Sequence, residues 1–310
     1  MRASVRPVAM IVLAAGLGAA AACGGSEAAA KSGGDKLVVV ATTPQVRDFV
    51  QNIGGDRVAV TGLIKPGADP HDYEPTARDL RTIGEAKVLV LSGAGLEKKW
   101  VDSAVSSSGF SGKCIDSSAG ITLLTHVEDG RTEDDPHIWH SVPNAERMAT
   151  NIEAGLAAAD KKDAAMFKQN LDGYEGKLRT LDARIRKEIG TLPAGHRKFV
   201  TNHDAFGYYV HTYGLDFVGS IIPSFDTNAE VSGKQLNDLV RKIKQTGTKA
   251  VFSESSIPPK TAEALGQEAG VKVLSGDQAL YGDSLAVSGP GSTYIGAEEH
   301  NLRTIVDNLR

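Results

Sequence analysis

From Leu37 onward, short apolar runs rich in β-branched residues alternate with amphipathic stretches. Thr42-Thr43-Pro44 offers a helix N-cap followed by proline at the first helical position, Gly54-Gly55 offers a stop, and Thr76 offers a second N-cap. LEKKWVDSAVSS (96–107) has a helical pattern. Four runs predict strands in the first half: LVVVA (37–41), VAVTGLI (58–64), KVLVL (87–91) and KCID (113–116).

The pattern changes after Pro143, where nearly fifty residues contain no strand signal and few helix breakers. Apolar residues recur there at spacings of three and four, which predicts a long amphipathic helix. These residues are Leu171, Tyr174, Leu178, Leu181 and Ile185. Strand signals then resume with KFVTN (198–202), LDFVGSI (215–221), KAVFSE (249–254) and VKVLS (271–275). Helices are predicted near 205–213, 233–246 and 259–269, and from Tyr294 to the C-terminus.

Alternating strands and helices favour parallel sheets. The predicted fold class is therefore α/β, with two lobes that each contain a parallel-type sheet flanked by helices. The predicted N-terminal lobe covers residues 37–158, a rigid linking helix covers 159–190, and the C-terminal lobe covers 191–310. Ligands of open α/β sheets bind beyond the carboxyl ends of the strands. The cleft between the lobes is therefore the predicted binding site.

Residues 1–23 have the pattern of a processing signal. Arg2 and Arg6 provide a positive start, and the apolar run that follows ends in Ala-Ala-Ala-Cys at Cys23. This ending resembles a bacterial lipobox, in which the cysteine becomes acylated; the alternative is an ordinary signal peptide cut near Ala22. Residues 24–36 are small, polar and glycine-rich, which is typical of a flexible tether.

Charge and cysteine content exclude several classes of partner. The formal net charge is −4, and it becomes −6 when Arg2 and Arg6 are removed, which disfavours binding to nucleic acid. The chain has two cysteines, so a lipidated Cys23 leaves Cys114 without a disulfide partner. A cysteine-based zinc site is excluded for the same reason. Cys114 is expected to be a small buried side chain beside a strand.

Three histidines lie just after predicted strands or in the loop before a helix. His71 occurs in DPHDYEPT, His137 in DPHIW and His203 in NHDAFGYY. Imidazole is the commonest metal-ligating side chain, and Zn²⁺ takes four ligands in a tetrahedron. Asp283, in a glycine-rich loop after the last strand, can reach the same edge of the cleft. These four residues are therefore candidate ligands of one metal site.

Several ordered motifs resemble the zinc/manganese ABC-transporter solute-binding lipoproteins, the ZnuA/TroA-like group. They include the His71 loop with YEPT, GAGLEKKW (93–100), DPHIW, HDAFGY, FSE (252–254) and YGDSL with TYIG and HNLRTI. The resemblance implies that His71 and His137 come from the N-terminal lobe and His203 and Asp283 from the C-terminal lobe. It also implies an ABC permease and its ATPase subunit as partners, a lipid-anchored extracytoplasmic location, a monomer and no enzymatic activity.

The resemblance leaves the choice of metal to the ligand set. Manganese-selective relatives tend to carry glutamate at the position of His203, and imidazole suits Zn²⁺ better than Mn²⁺. Zinc is therefore the expected cargo, with manganese as a second one. The His-rich loop of many zinc-specific relatives is replaced here by THVEDGRTEDD around His126, either a solvated loop or a weak cation-collecting patch. Glu74, Trp139 and Glu254 are candidates for contacts behind the ligands.

Three other functions compete with this interpretation. Gly93 and Gly95 follow a strand and begin a dinucleotide-binding pattern, but Lys98 stands where the third glycine is needed. A zinc-dependent hydrolase would use three histidines and leave a position for water, whereas Asp283 would close that position. A surface adhesin lipoprotein is the third alternative.

Overall fold

The four apolar runs of the first half form one parallel sheet in the computed structural model of the protein, which describes residues 36–128 and 131–310. Its strands are β1 (Leu37–Ala41), β2 (Val58–Gly62), β3 (Val88–Leu91) and β4 (Lys113–Asp116), in the order β2-β1-β3-β4. The helices between them are α1 (Pro44–Gly54), α2 (Ala77–Glu85) and α3 (Val101–Ser108).

Both predicted N-caps of this half are confirmed. The Thr43 side chain accepts a hydrogen bond from the Val46 N–H at 3.2 Å, and Pro44 occupies the first helical position. The Thr76 side chain accepts from the Asp79 N–H, and Asp79 bonds back to the Thr76 N–H, so α2 begins with a capping box.

The acidic stretch before the DPHIW motif forms a hairpin and not an irregular loop. Strands β5 (Thr125–Glu128) and β6 (Arg131–Asp134) pair in the antiparallel direction, with Thr125 opposite Asp134. The expectation of a loop around His126 was therefore wrong, because polar residues with alternating exposure can also form a two-stranded ribbon.

The long helical segment consists of two helices. Helix α4 (Val142–Ala159) is capped by Asp160, and α5 (Ala164–Gly190) begins after residues 160–163. Helix α5 is about 40 Å long at 1.5 Å per residue. All five apolar residues of the predicted stripe are buried on α5. The helix is consistent with the predicted linking helix, although it begins at Ala164.

The second half repeats the architecture of the first. Its sheet contains β7 (Lys198–His203), β8 (Asp216–Ile222), β9 (Ala250–Phe252) and β10 (Lys272–Leu274), all parallel in the order β10-β9-β7-β8. Its helices are α6 (Gly207–Tyr213), α7 (Gly233–Thr246), α8 (Lys260–Ala269) and α9 (Tyr294–Leu309). The predicted α/β class with two parallel sheets flanked by helices is confirmed.

One hydrophobic core is shared by both sheets. Val39 of β1 and Phe199 of β7 are fully buried in the same cluster as Leu178 of α5. The alternate residues point to the outer faces, where Val40 packs under α2 and α3 and Val200 packs under α7 and α8. The two sheets are therefore joined by a continuous apolar layer that includes α4, α5 and α9.

Two further predictions concern single features. Cys114 is exposed, so the expectation of a buried side chain was wrong; it lies on β4, which is an edge strand. None of the helices in the described part of the chain combines the length and the apolar character that a bilayer span requires. The predicted signal peptide, lipobox and tether up to residue 35 lie outside the described residues.

Candidate metal centre

The tripeptide Asp-Pro-His occurs twice and forms the same turn each time. Residues 69–71 lie in the loop between β2 and α2, and residues 135–137 lie between β6 and α4. In each copy the aspartate Oδ1 accepts a hydrogen bond of 2.9 Å from the histidine backbone N–H. The proline between the two residues has a fixed φ. Each histidine therefore lies at the end of a tight turn that the aspartate side chain stabilises.

The other two predicted ligands come from the second half. His203 is the last residue of β7, at the carboxyl end of its sheet, and it is fully buried. Asp283 lies in the loop between β10 and α9 and is also fully buried. The Trp139 indole N–H donates to the carbonyl of Gly282 at 3.1 Å, so the loop that carries Asp283 is attached to the segment that carries His137.

The four predicted residues meet at one point. Nε2 of His137 lies 3.3 Å from Nε2 of His71 and 3.3 Å from Nε2 of His203. Oδ2 of Asp283 lies 3.4 Å from Nε2 of His71 and 3.5 Å from Nε2 of His203, and Oδ1 of Asp283 lies 3.4 Å from Nε2 of His137. Four ligands about 2.0–2.1 Å from a tetrahedral Zn²⁺ are separated by about 3.3–3.4 Å. One ligand atom from each of the four residues lies within 4.8 Å of the others, and the two measured Nε2–Nε2 distances match the spacing of ligands around a tetrahedral cation.

Two of the three imidazoles are held from behind by buried carboxylates. Nδ1 of His137 lies 2.7 Å from Oδ1 of Asp135, and Nδ1 of His203 lies 2.8 Å from Oε1 of Glu254. When Nδ1 donates to a carboxylate, the lone pair of the neutral ring is on Nε2, the atom that faces the other ligands. Glu254 was a predicted candidate for such a contact. Asp135 was missed, although it stands two residues before His137 in the DPHIW motif.

Gly282 makes room for the Glu254 carboxylate. A Cβ atom built on Gly282 would lie 1.9 Å from Oε2 of Glu254, which is far inside van der Waals contact. Since the carbonyl of Gly282 is held by Trp139 and its chain neighbour is Asp283, the absent side chain brings Glu254 and Asp283 close together. Gly282 thus allows Glu254, which bonds His203, to lie next to the ligand Asp283.

The electrostatics of the site favour a bound cation. Burial opposes a charge on His203, but the carboxylates of Glu254 and Asp283 outweigh burial and raise its pKa to about 10. For His71, Asp283 likewise outweighs burial and raises the pKa, whereas burial dominates at His137 and lowers its pKa. Burial is outweighed at Asp283 too, because the neighbouring imidazoles hold its pKa well below the usual range.

The remaining candidate residues lie outside the ligand set. Glu74 is exposed, whereas Trp139 is buried with its ring 5.5 Å from that of His137. His140 is fully buried, pairs with Glu298 at 3.1 Å through Nδ1, and does not face the four donors. His126 lines a separate cavity of about 450 Å³.

Comparison with known proteins decides the family. Residues 39–308 match the family described as "Zinc-uptake complex component A periplasmic". The chain belongs to this family. The match covers nearly all of the described residues, including both sheets and all four residues of the candidate site.

Members of the family resemble this chain over nearly their whole length. The manganese-binding lipoprotein MntA of Bacillus subtilis is 35% identical over 280 residues, covering 88% of this chain and 90% of MntA. The zinc-binding protein TroA of Treponema pallidum is 33% identical over 276 residues, covering 88% of each chain. The manganese ABC transporter substrate-binding lipoprotein PsaA of Streptococcus pneumoniae is 28% identical over 281 residues, covering 88% of this chain and 89% of PsaA.

The solved structures give the same result. The periplasmic zinc-binding protein TroA of Treponema pallidum superposes with a TM-score of 0.82 at 32% sequence identity, covering 88% of this chain and 99% of that one. The family consists of binding proteins for transport and not of enzymes, which confirms that the chain is not a zinc hydrolase.

The glycine loop after β3 is filled by a side chain of the protein itself. Glu97 is fully buried, and its carboxylate accepts hydrogen bonds from the Ser92 and Gly93 backbone N–H groups at 2.7 Å and 3.1 Å. In a dinucleotide-binding protein such N–H groups would face a pyrophosphate. In this chain the Glu97 carboxylate already binds these N–H groups, so they are not free to bind a pyrophosphate. The dinucleotide-binding interpretation is therefore set aside.

Proposed function

We propose that this chain captures Zn²⁺ outside the cell membrane through His71, His137, His203 and Asp283 and delivers it to an ABC permease with its ATPase subunit. The observation that supports the proposal most strongly is the convergence of the four side chains, since one ligand atom from each lies within 4.8 Å of the others. PsaA is named as an ABC transporter substrate-binding protein, which supports the same partners here.

Zinc is proposed as the preferred cargo, with Mn²⁺ as a second one. Relatives of similar identity are named for manganese and for zinc, so overall similarity does not select the metal. The donor set supports the choice of zinc, because three imidazoles and one carboxylate suit Zn²⁺ better than Mn²⁺, which prefers oxygen ligands. The order of divalent-ion affinities favours Zn²⁺ at the same site.

The test is a competition between metals at neutral pH. We expect residues 37–310 to bind one Zn²⁺ per chain and to prefer Zn²⁺ to Mn²⁺ in calorimetric titration. Asp283→Ala should weaken the binding of both ions, whereas Glu74→Ala, on the exposed part of the same loop as His71, should weaken neither. Tighter binding of Mn²⁺ than of Zn²⁺ would refute the choice of metal, and unchanged binding in Asp283→Ala would refute the site.

We also propose the location and the arrangement of domains. Residues 1–23 are a lipoprotein signal peptide ending at the lipidated Cys23, and 24–36 are a tether. Residues 37–158 and 191–310 are two lobes joined by the linking helix 159–190, and the protein is a monomer. MntA and PsaA are named lipoproteins, which supports this anchoring. Cys23→Ser should release the protein from the membrane fraction with unchanged zinc affinity; membrane association that persists would refute the anchor.

A further inference from the structure

A cavity of about 500 Å³ opens beside the metal centre on the side of His71. Lys98, Lys99 and Trp100, which follow β3, line it from the first half of the chain, and Phe225 and Asp226, which follow β8, line it from the second half. The cavity therefore lies between the two halves of the molecule, and an ion that passed through it would reach His71 first.

His71 is the one site residue with any exposure. Its side chain is 8% accessible, whereas those of His137, His203 and Asp283 are 0% accessible. A hydrated ion must exchange its water for protein ligands, and this exchange can begin only at a ligand that solvent reaches. The cavity beside His71 is therefore the access route that the arrangement of the four ligands favours.

The segment of residues 223–232, which we call the strap, joins β8 to α7 next to this cavity. Asp226 is its central residue: Oδ2 pairs with Nζ of Lys99, and Oδ1 accepts from the Asn228 backbone N–H at 3.0 Å. The Asn228 amide donates to Asp72 at 2.7 Å, and Asp72 is the neighbour of His71. These two contacts join the strap to the first half of the chain, next to the cavity.

We propose that the strap is a gate, and that Lys99–Asp226 and Asn228–Asp72 set the rate at which metal enters and leaves through the cavity beside His71. This inference rests on the proposed metal-carrier function. The contacts lie outside the four donor atoms, so their loss leaves the bound state intact. Metal enters and leaves through the same opening. When the contacts are lost, the capture rate and the release rate therefore rise together, and the equilibrium affinity changes little.

The pairing is suited to a gate that opens readily. The side chains of Lys99 and Asp226 are 55% and 36% accessible, so water and salt screen their attraction. Exposed pairs of this kind shift an equilibrium about two- to fivefold each. The strap is therefore held weakly enough to open during exchange, and higher salt should make it open more often.

The experiment measures zinc release from the full-length chain in detergent, loaded with one Zn²⁺ and mixed with excess chelator in a stopped-flow instrument. Lys99→Ala and Asn228→Ala should each speed release about two- to fivefold, and the double variant about tenfold. The capture rate should rise by a similar factor, and Kd should stay within about threefold of the wild-type value. Lys234→Ala is the matched control, because it breaks another exposed Lys–Asp pair, with Asp238 on α7, away from the cavity.

Salt dependence provides a second measurement. Release from the wild-type protein should accelerate with added NaCl, and release from the double variant should not, because the screened pair is already absent. Unchanged release in the double variant overturns the gate. Faster release with an unchanged capture rate and a proportionally weaker Kd also overturns it, since the contacts would then stabilise the bound state. A wild-type protein that binds no zinc refutes the proposed function itself, a result distinct from zinc binding with unaltered rates.

Discussion

The two halves of the molecule present their histidines in different ways. His203 ends strand β7, and its ring is bonded to the buried Glu254, so both its backbone and its side chain are fixed before any ion arrives. His71 lies nine residues beyond the end of β2, in a loop whose aspartate bonds the backbone N–H. The comparison teaches that His203 is a preorganised ligand, whereas His71 is a ligand on a loop, next to the cavity.

The largest effect should come from removing the fixed ligand. His203→Ala is expected to lower zinc affinity by at least about 100-fold, because it deletes a ligand and leaves Glu254 buried without its partner. His71→Ala should cost less, since water can take the place of an imidazole at the accessible edge of the site. Calorimetric or competitive titration of both variants gives the order, and a larger loss in His71→Ala would invert the comparison.

The next effect concerns the carboxylates behind the rings. Glu254→Gln and Asp135→Asn should each weaken zinc binding about 10–100-fold, the usual cost of losing such a partner. In the metal-free protein, the ¹⁵N chemical shifts of the imidazoles should show a lower pKa of His203 in Glu254→Gln, because the carboxylate that raises it is absent, and less of the Nδ1-protonated tautomer at His137 in Asp135→Asn. Glu74→Gln is the control, because Glu74 is exposed. A loss of affinity without any change in these chemical shifts would contradict the assigned role.

Proton release should distinguish the two halves as well. The pKa of His203 is raised to about 10, so in the metal-free protein it carries a proton at pH 7.5, and metal binding must displace that proton. We expect about one proton released per Zn²⁺ from His203, and zinc affinity that rises about tenfold per pH unit as pH increases towards 10. Titration in two buffers of different ionisation enthalpy counts the protons. The Glu254→Gln variant should release fewer protons per Zn²⁺. An equal number would show that Glu254 is not the cause of the raised pKa of His203.

Protonation of His203, which opposes zinc binding, should stabilise the metal-free fold. The folded-state pKa of His203, about 10, lies above the unfolded value of about 6.5. The stabilisation by protonated His203 is therefore complete below about pH 6.5 and is lost as pH rises through 10. Zinc should consequently raise Tm more at pH 9 than at pH 6.5.

The smallest effects on affinity are expected from histidines outside the site. His140→Ala and His126→Ala should leave zinc affinity within about twofold of wild type. His140→Ala should nevertheless lower the free energy of unfolding by about 1–3 kcal/mol, because Glu298 would lose its buried partner. Chemical denaturation combined with titration separates the two quantities. A strong loss of affinity in His140→Ala would show that the assigned ligand set is wrong.

The sequence predicted the strands and the buried stripe of α5 well because these elements depend on local periodicity. It could not show that the helical segment breaks at Asp160, since residues 160–163 contain neither glycine nor proline. The hairpin was missed because its strands are polar, although Asp129-Gly130 is a hairpin signal in the sequence. Cys114 was misplaced because the sequence does not reveal which strand becomes the sheet edge.

The four candidate ligands could be named because each lies in a motif that resembles those of known proteins, and the structure brings them together. The support behind them was only partly predictable. Glu254 was recognised from its position at the end of a strand, whereas Asp135 was overlooked. The repetition of Asp-Pro-His at 69–71 and 135–137 was the available signal, but only three-dimensional structure shows that Asp135 also reaches Nδ1 while Asp69 bonds the backbone.

The core that α5 shares with both sheets limits how the empty and loaded forms can differ in shape. Swinging the halves apart would expose apolar side chains that are now buried in one cluster, at about 2.5 kcal/mol for every 100 Å². We therefore expect the outline of the protein to stay nearly constant when metal binds. A transporter that accepts only loaded carriers would then have to recognise the position of a few side chains near His71, and mutations on that small patch would uncouple transport from binding.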